Sequence, residues 1–482
     1  MRVLSDLSVL VFTALQCFSS TSASTMQDGH NLNPQAATER ALLYAYPLLA
    51  FQEKYTSLVP KIGVNCLGHM LRLATSQARS TVKPNADTVY STALYDISQH
   101  SLQIDLPAVP ADQYALFSFH DLYGNNFAVI GQEDLTNATA FILTHEAASQ
   151  TFAGSQVKRV ISPTTFGTVL VRWLFKDGNL DTIHSLQNAT TMKATPLQTR
   201  AQANNARDNP MLTSIDWSDS SASPPQNALR LLCQVGAVNT PGCLAGATVQ
   251  EILQLSGFRA HKYTLSKVDI EAADRNVLAE LKSAGQNALE QRNNGWSVIQ
   301  NDIAGDFSDN YGLRAQIAFT GYLMLQAPAA LYPSWSGNGS GLPLEGQLLE
   351  LGAHDSYVYT FSGRPPLGKL GFWSLTVYDA DGYLIHNPRN VSSLGDRSNI
   401  TYPSGDLIYG PASSAERDEA FQLLVQPADI PPPANWMSNW LPGPSGGGNM
   451  TALLRFYNAT EELLDGRYQF PTVSKQSCII QN

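Results

Sequence analysis

The sequence predicts an α+β fold, mainly β, with two antiparallel β-sandwich or jelly-roll-like domains joined by a helical section. Three observations carry that expectation. Stretches near 114–121, 167–175 and 372–378 alternate in the period-two pattern of strands. Between them, Ile270, Val277, Leu281, Ala284 and Ala288 recur on one face of a helix over about 269–292. The 482 residues include 34 Gly and 27 Pro but only 15% charged side chains, a composition that supplies many turns and a large core. Strands, then helices, then strands is an α+β order, and the chain is too long for one small core.

The expected boundaries are a signal peptide at 1–23, an N-terminal domain at 24–200, a helical linking region at 201–344 and a C-terminal β domain at 345–482. Arg2 forms a short basic region, Leu7 to Phe18 an apolar stretch, and Thr21-Ser22-Ala23 a small-residue cleavage site. That apolar stretch is too short to span a bilayer. A helix follows over 33–55, with Asn33 as its cap, Pro34 in the first turn, and Pro47 interrupting it.

In 114–121, Ala115, Phe117 and Phe119 alternate with Leu116, Ser118 and His120, and Tyr123 to Asn126 then forms a loop. In 167–175, Val169, Val171 and Trp173 alternate with Thr168, Leu170 and Arg172. Residues 214–227, rich in Ser, Asp and Pro from Ser218 to Pro225, read as a linker or exposed loop. The 269–292 helix ends at Asn293-Asn294-Gly295, and another helix is expected within 311–330. In the last part, Phe372, Ser374, Thr376 and Tyr378 face one way, and Trp373, Leu375 and Val377 the other. Asp381-Gly382 is a hairpin turn, and Leu453 to Tyr457 a late strand.

The formal net charge of −10 argues against nucleic-acid and anionic-membrane partners, which require a basic face. Seven Asn-x-Ser/Thr sequons, at Asn137, Asn188, Asn338, Asn390, Asn399, Asn449 and Asn458, point to a glycosylated, secreted chain. Loss of the leader removes Cys17 and leaves Cys66, Cys233, Cys243 and Cys478. An even number in an oxidising compartment suggests disulfides. Cys233 and Cys243 flank a turn-like segment and are the expected pair, which would leave Cys66 with Cys478.

No nucleophile elbow, zinc-protease helix, phosphate-binding loop or dinucleotide fingerprint is present, so no cofactor is expected. Asp379, Asp381 and Asp396 suit calcium chemically but lack EF-hand spacing. Chemistry therefore falls to Asn85, Asp87, Thr88 and Tyr90 in the run Lys83–Tyr90, with His120 and Asp121 at a strand end. A carboxylate beside an imidazole supports general acid–base work. Successive strand residues point to opposite faces, so Asp87 rather than Asp121 is the expected partner of His120. The competing reading makes Asn85, Asp87 and Thr88 a turn that bonds its own backbone. Arg172, on an otherwise apolar strand, needs a partner in Asp87 or Asp121, or else steadies negative charge on a substrate. Asn85, Asp121, Asn126, Trp373, Tyr378 and Trp440 are expected to contact substrate, with the aromatics having core packing as their alternative.

These motifs resemble a tandem family known as domain of unknown function 1254 followed by domain of unknown function 1214. The likeness runs over about 35–475. It rests on Pro84-Asn85-x-Asp87-Thr88-x-Tyr90, Asp96, Tyr114, Asp121, Gly131, Ser162-Pro163-Thr164 and Leu186-Gln187 in the first half. In the second half it rests on Phe372-Trp373-Ser374-Leu375-Thr376-x-Tyr378-Asp379, Asn387-Pro388, Gly395-Asp396-Arg397, Asn439 to Pro442 and Arg455-x-Tyr457. Leader and sequons make it similar to a secreted fungal member. Two positions depart from the family pattern. Gln113-Tyr114 stands where Arg-Tyr is usual, and Gln132-Glu133-Asp134 where Arg-Thr-x-Gly commonly follows Gly131.

The resulting expectation is a secreted, cofactor-independent acid–base enzyme, a hydrolase or an isomerase or cyclase. Its substrate would be a small organic molecule or glycan, as in secondary-metabolite processing. Asp87, His120, Arg172 and Tyr90 would be catalytic. The alternative is a non-catalytic carbohydrate or small-ligand binding protein, and turn-capping motifs alone would favour a purely structural one. Homo-oligomerisation is left open.

Overall fold

A computed structural model describes residues 33–481, apart from 80–81, 136–137, 146–156, 196–209, 219–221, 237–238, 240–250, 253, 260–261, 264–267, 336–347, 411–412 and 414–417. The expected leader, Cys243 and the sequons Asn137 and Asn338 lie outside the described residues.

The fold is mainly β, with several antiparallel sheets and a helical body, as the alternation predicted. The first sandwich pairs two sheets. In one, Thr88–Asp96 and Ala115–Asp121 flank Phe166–Leu174, with Gly68–His69 and Asn126–Ile130 at the edges. The other contains Ser101–Asp105, Ala140–His145, Val157–Ser162 and Thr191–Thr195. Val89, Phe117, Phe119, Val171 and Trp173 from the first meet Leu102, Ile104, Phe141 and Leu143 from the second. Period-two alternation turns one side of each strand into this core.

The second sandwich is built likewise. Leu367–Asp379 pairs with Gly448–Ala459 and Ser393–Gly395, and this sheet packs on one containing Asp355–Phe361, Phe421–Pro427, Trp440–Gly443 and Thr472–Ser477. Trp373, Leu375, Val377, Leu454 and Phe456 face Tyr359, Phe361, Leu423 and Val425 in its core.

The helices form a third body. Asn33 caps Pro34–Ala45 by accepting from the Ala36 N–H at 2.9 Å, and Pro47 opens a second helix, Pro47–Ile62. Both pack with Pro224–Val235, Ile270–Asn287 and Tyr311–Gly321 around Leu42, Leu48, Phe51, Leu232, Val277 and Ala315. Two expectations needed revision. The Ser/Pro-rich segment does not run on as a linker, because Ser223 and Gln226 form a capping box that starts a helix at Pro224. The 269–292 helix stops at Asn287, and Leu289–Gln291 leaves it to pair with Trp296–Ile299.

Among the described residues Cys66, Cys233 and Cys478 form no disulfide, so Cys66 and Cys478 do not tie the ends together. Burial pushes the Cys233 thiol up to about 12.

The outer face of the first sandwich's large sheet places the site. Leu116, Ser118 and His120 lie on it, opposite Arg172, Leu170 and Thr168, and Tyr90 lies opposite Arg172 on the other side. Two covers share this face. The helical body packs on the end carrying Leu94, Leu122 and Phe166. The second sandwich packs on the other end, where Tyr114, Leu116 and Leu174 meet Phe372 and Tyr457.

Candidate functional site

The second cover presents the polar face of its own sheet. Phe372, Ser374, Thr376 and Tyr378 are cross-strand partners of Tyr457, Arg455, Leu453 and Thr451. Two sheet faces rich in Arg and Tyr therefore meet between the sandwiches. Tyr90, Tyr332, Ser393 and Arg397 are half-buried and mark the rim, while Arg172, Arg455, Asn85, Asp87 and Tyr378 are buried.

The Lys83–Asp87 segment is clamped by the second sandwich at nearly every residue. Lys83 donates its N–H to the Gly382 carbonyl at 2.7 Å, in a turn where Gly382 takes φ +81°. The Lys83 carbonyl accepts from Arg455 Nη2 at 3.1 Å, and the Pro84 carbonyl from Tyr378 Oη at 2.7 Å. Asn85 Nδ2 donates to Tyr457 Oη at 2.7 Å, and its Oδ1 accepts from the Asp87 N–H at 2.6 Å. The turn reading of Asn85 is thus met locally, while its amide reaches across.

Asp87 crosses as well. Its Oδ1 accepts from Ser393 Oγ at 3.0 Å and pairs with Arg397 Nη2 at 2.7 Å. Arg397 also pairs with Asp396 at 2.6 Å and lies over the Phe372 ring at 4.7 Å. Burial raises the Asp396 carboxyl against the pull of Arg397. Asp87 Oδ2 is buried and has no hydrogen-bond partner among the described residues.

The expected Asp87–His120 pairing does not form. The Asp87 carbonyl accepts from the Phe175 N–H, whereas His120 sits opposite Thr168, so the two mark opposite ends of the Phe166–Leu174 strand. Seven residues at strand rise separate them by about 20 Å. His120 is fully buried, and among the described residues neither ring nitrogen has a well-formed hydrogen bond; burial, then Arg172, lower it to about 3 against a weaker opposing contact with the Gly124 backbone. It is a neutral packing residue at neutral pH.

Asn126 stays with His120. Its Nδ2 donates to the Phe119 and Ala128 carbonyls and its Oδ1 accepts from the Gln326 N–H. Asp121 caps its own loop, accepting from the Tyr123 and Asn125 N–H groups and from Asn125 Nδ2. Burial raises it, and Arg314 opposes that rise. Arg314 lies 4.7–4.8 Å from the ring centres of Tyr44, Tyr123 and Tyr311, an aromatic cage that holds the helical body to this loop.

Arg172 pairs with neither Asp87 nor Asp121. Its Nη1 donates to Ser118 Oγ at 3.1 Å and its guanidinium sits 5.7 Å from the Tyr90 ring. Trp373 turns inward, donating from Nε1 to Tyr409 Oη, so of the aromatics proposed to close the cleft only Tyr378 does. Trp440 is buried elsewhere, donating to the Gln426 carbonyl under Arg389. Asp379 caps the hairpin turn by accepting from the Asp381 and Tyr383 N–H groups, while Asp396 serves Arg397. The three acids therefore do not converge, and among the described residues no His, Cys, Asp or Glu group gathers around a metal position.

The structure thus brings together Asn85, Asp87, Tyr90, Arg172 and Tyr378 from the expected set. It adds Tyr114, Tyr332, Arg397, Arg455 and Tyr457. Arg455 and Tyr457 alternate with apolar Leu454 and Phe456, a pattern that marks them as residues of the outer face.

Residues 64–194 match the family described as Protein of unknown function (DUF1254), and residues 344–461 that described as Protein of unknown function (DUF1214). The chain belongs to the tandem DUF1254–DUF1214 family. The Lys83–Asp87 clamp lies in the DUF1254 match, and its partners Tyr378, Ser393, Arg397, Arg455 and Tyr457 lie in the DUF1214 match. A crystal structure of the VPA0106 protein from Vibrio parahaemolyticus is similar over 92% of this chain and 100% of its own, with a TM-score of 0.59 and 14% identity. That likeness supports the fold. A crystal structure of an uncharacterised protein from Burkholderia cenocepacia aligns over 92% of this chain and 94% of its own at 11% identity, with a TM-score of 0.42. No curated protein matches the chain.

Proposed function

We propose that this DUF1254–DUF1214 protein is a secreted acid–base enzyme that acts on a small organic molecule between its two sandwiches, without a cofactor. The observation that carries this reading is Asp87. Ser393 and Arg397 fix one oxygen, while the other is buried and has no partner among the described residues. A buried unsatisfied carboxylate oxygen in a native fold calls for a function, and a fixed carboxylate is suited to removing a proton. Asp396, paired with the same Arg397, is the second carboxylate of this layer. Arg172 faces the same layer and steadies developing negative charge. Hydrolysis fits, as does isomerisation or cyclisation during secondary-metabolite processing.

The proposed secretion rests on the leader-like segment and the sequons, of which Asn188, Asn390, Asn399 and Asn449 are exposed. A second reading, small-ligand binding without turnover, is favoured by the docking bonds that the Lys83–Asp87 segment already makes. The test is incubation of the purified chain with small-molecule libraries, with products followed by mass spectrometry. Turnover by the native protein and none by Asp87→Asn supports the enzyme. Ligand retention without turnover by either supports the binding protein, and turnover undiminished in Asp87→Asn overturns the role of Asp87.

A further inference from the structure

The layer between the sandwiches contains more guanidinium charge than its own carboxylates balance. Arg397 takes both Asp87 and Asp396. Arg172 and Arg455 have no carboxylate within salt-bridge distance among the described residues, and their bonds go to neutral atoms. Arg172 donates to Ser118 Oγ, and Arg455 to Tyr378 Oη at 2.8 Å and the Lys83 carbonyl. A guanidinium has five N–H donors, so most remain for another acceptor. Both side chains are buried, at 6% and 4% exposure, and a buried cation without a counter-ion costs several kcal/mol.

The neighbouring phenols do not supply that counter-ion. Burial raises Tyr114, Tyr332, Tyr378 and Tyr457, which keeps them neutral at ordinary pH. Tyr332 and Tyr457 interact electrostatically with both arginines, while Arg172 lies 5.7 Å from the Tyr90 ring and Arg455 5.6 Å from the Tyr378 ring. Two further polar atoms on these faces are buried without partners: Ser374 Oγ, cross-strand from Arg455, and Tyr114 Oη. Rings fill the space beside them, with Phe372 stacked on Tyr457 at 4.2 Å and edge-on to Tyr114 at 5.0 Å. In a chain of net charge −10 this is a local cationic site, not a general basic surface.

We infer that Arg172 and Arg455 hold the carboxylate of a small planar organic acid among the aromatic rings of this layer. A guanidinium fork matches a carboxylate in a bidentate pair. The negative charges of Asp87 and Asp396 in the same layer favour a monoanion over a phosphate dianion. This inference rests on the reading of the layer as a substrate site, and it adds the class of substrate.

The test uses the full chain with benzoate, its neutral counterpart benzamide and inorganic phosphate as probes, read by calorimetric titration and thermal melting. Benzoate should bind and raise the melting temperature, with benzamide at least tenfold weaker. Arg172→Gln and Arg455→Gln should each weaken benzoate at least tenfold, and Arg172→Lys by less. Equal binding of benzoate and benzamide, binding of neither, or a preference for phosphate overturns the inference. Should the glutamine variants fail to fold, the comparison of probes on the native chain decides alone. The two readings are separated by reading turnover in Asp87→Asn and the preference for benzoate in the native chain. Lost turnover in that variant, with no preference for benzoate in the native chain, sinks the carboxylate site alone. Retained turnover with retained benzoate binding sinks only the acid–base role of Asp87.

Discussion

Asp87 Oδ1 and Arg397 Nη2 lie 2.7 Å apart although they belong to different sandwiches. This pair joins the candidate chemistry to the docking of the two halves, so no change at Asp87 acts on one without touching the other. Asp87→Asn should abolish turnover and lower unfolding stability by about 2 kcal/mol. That is less than loss of an isolated buried pair, because Arg397 keeps Asp396. Denaturant unfolding of Asp87→Asn, Arg397→Gln and the double variant should give a double-mutant coupling of at least about 1 kcal/mol. Additive losses would mean the contact contributes nothing of its own.

His120 predicts a pH dependence. Its folded value, near 3, lies below the unfolded value of about 6.5. Between these values the unfolded chain binds the additional proton, so this residue's contribution to stability falls as pH drops from about 6.5 towards 3. The loss is on the order of 4 kcal/mol over that window. Unfolding free energies at pH 7 and pH 5 should converge in His120→Leu relative to the native chain. An unchanged pH slope would show that His120 is not buried neutral.

Arg314 should behave as a structural cation. Arg314→Ala removes a guanidinium held by three tyrosine rings and is expected to cost about 3 kcal/mol or more. Arg314→Lys retains charge but loses the planar stacking, and should recover only part of that. Full recovery by lysine in thermal melting would show that charge alone matters.

Glycosylation should be found at Asn188, Asn390, Asn399 and Asn449, which are exposed. Asn458 is half-buried, with its amide donating to the Lys369 carbonyl at 2.9 Å, and should carry little or no glycan. Peptide mapping after enzymatic deglycosylation reads each position by its mass shift. A fully occupied Asn458 would show that its half-buried setting does not block the glycan.

Much of the fold was legible because alternation fixes which face a strand residue takes. Phe117 and Trp173 read correctly as one side, and Ser374 and Tyr378 as one side. Alternation does not say which end of a neighbouring strand a residue will meet. The Asp87–His120 pairing failed there, since Phe166–Leu174, late in the first half, sets the register of both. Arg397, Arg455 and Tyr457 stood inside visible motifs, but their role depends on an encounter between sheets far apart in sequence. The apparent partner for Arg172 failed for the same reason, as the carboxylate nearest in sequence logic was already committed to Arg397.

The Lys83–Asp87 clamp has a consequence for how such chains are inherited. Each half contributes an incomplete set of groups, and the backbone carbonyls of one half are the acceptors for the arginine and tyrosine of the other. A recombination event that parted them would leave one product displaying Arg172 and Tyr114 to water and the other displaying Arg455 and Tyr457. Neither fragment would retain the layer, so either half alone lacks the groups that the other supplies.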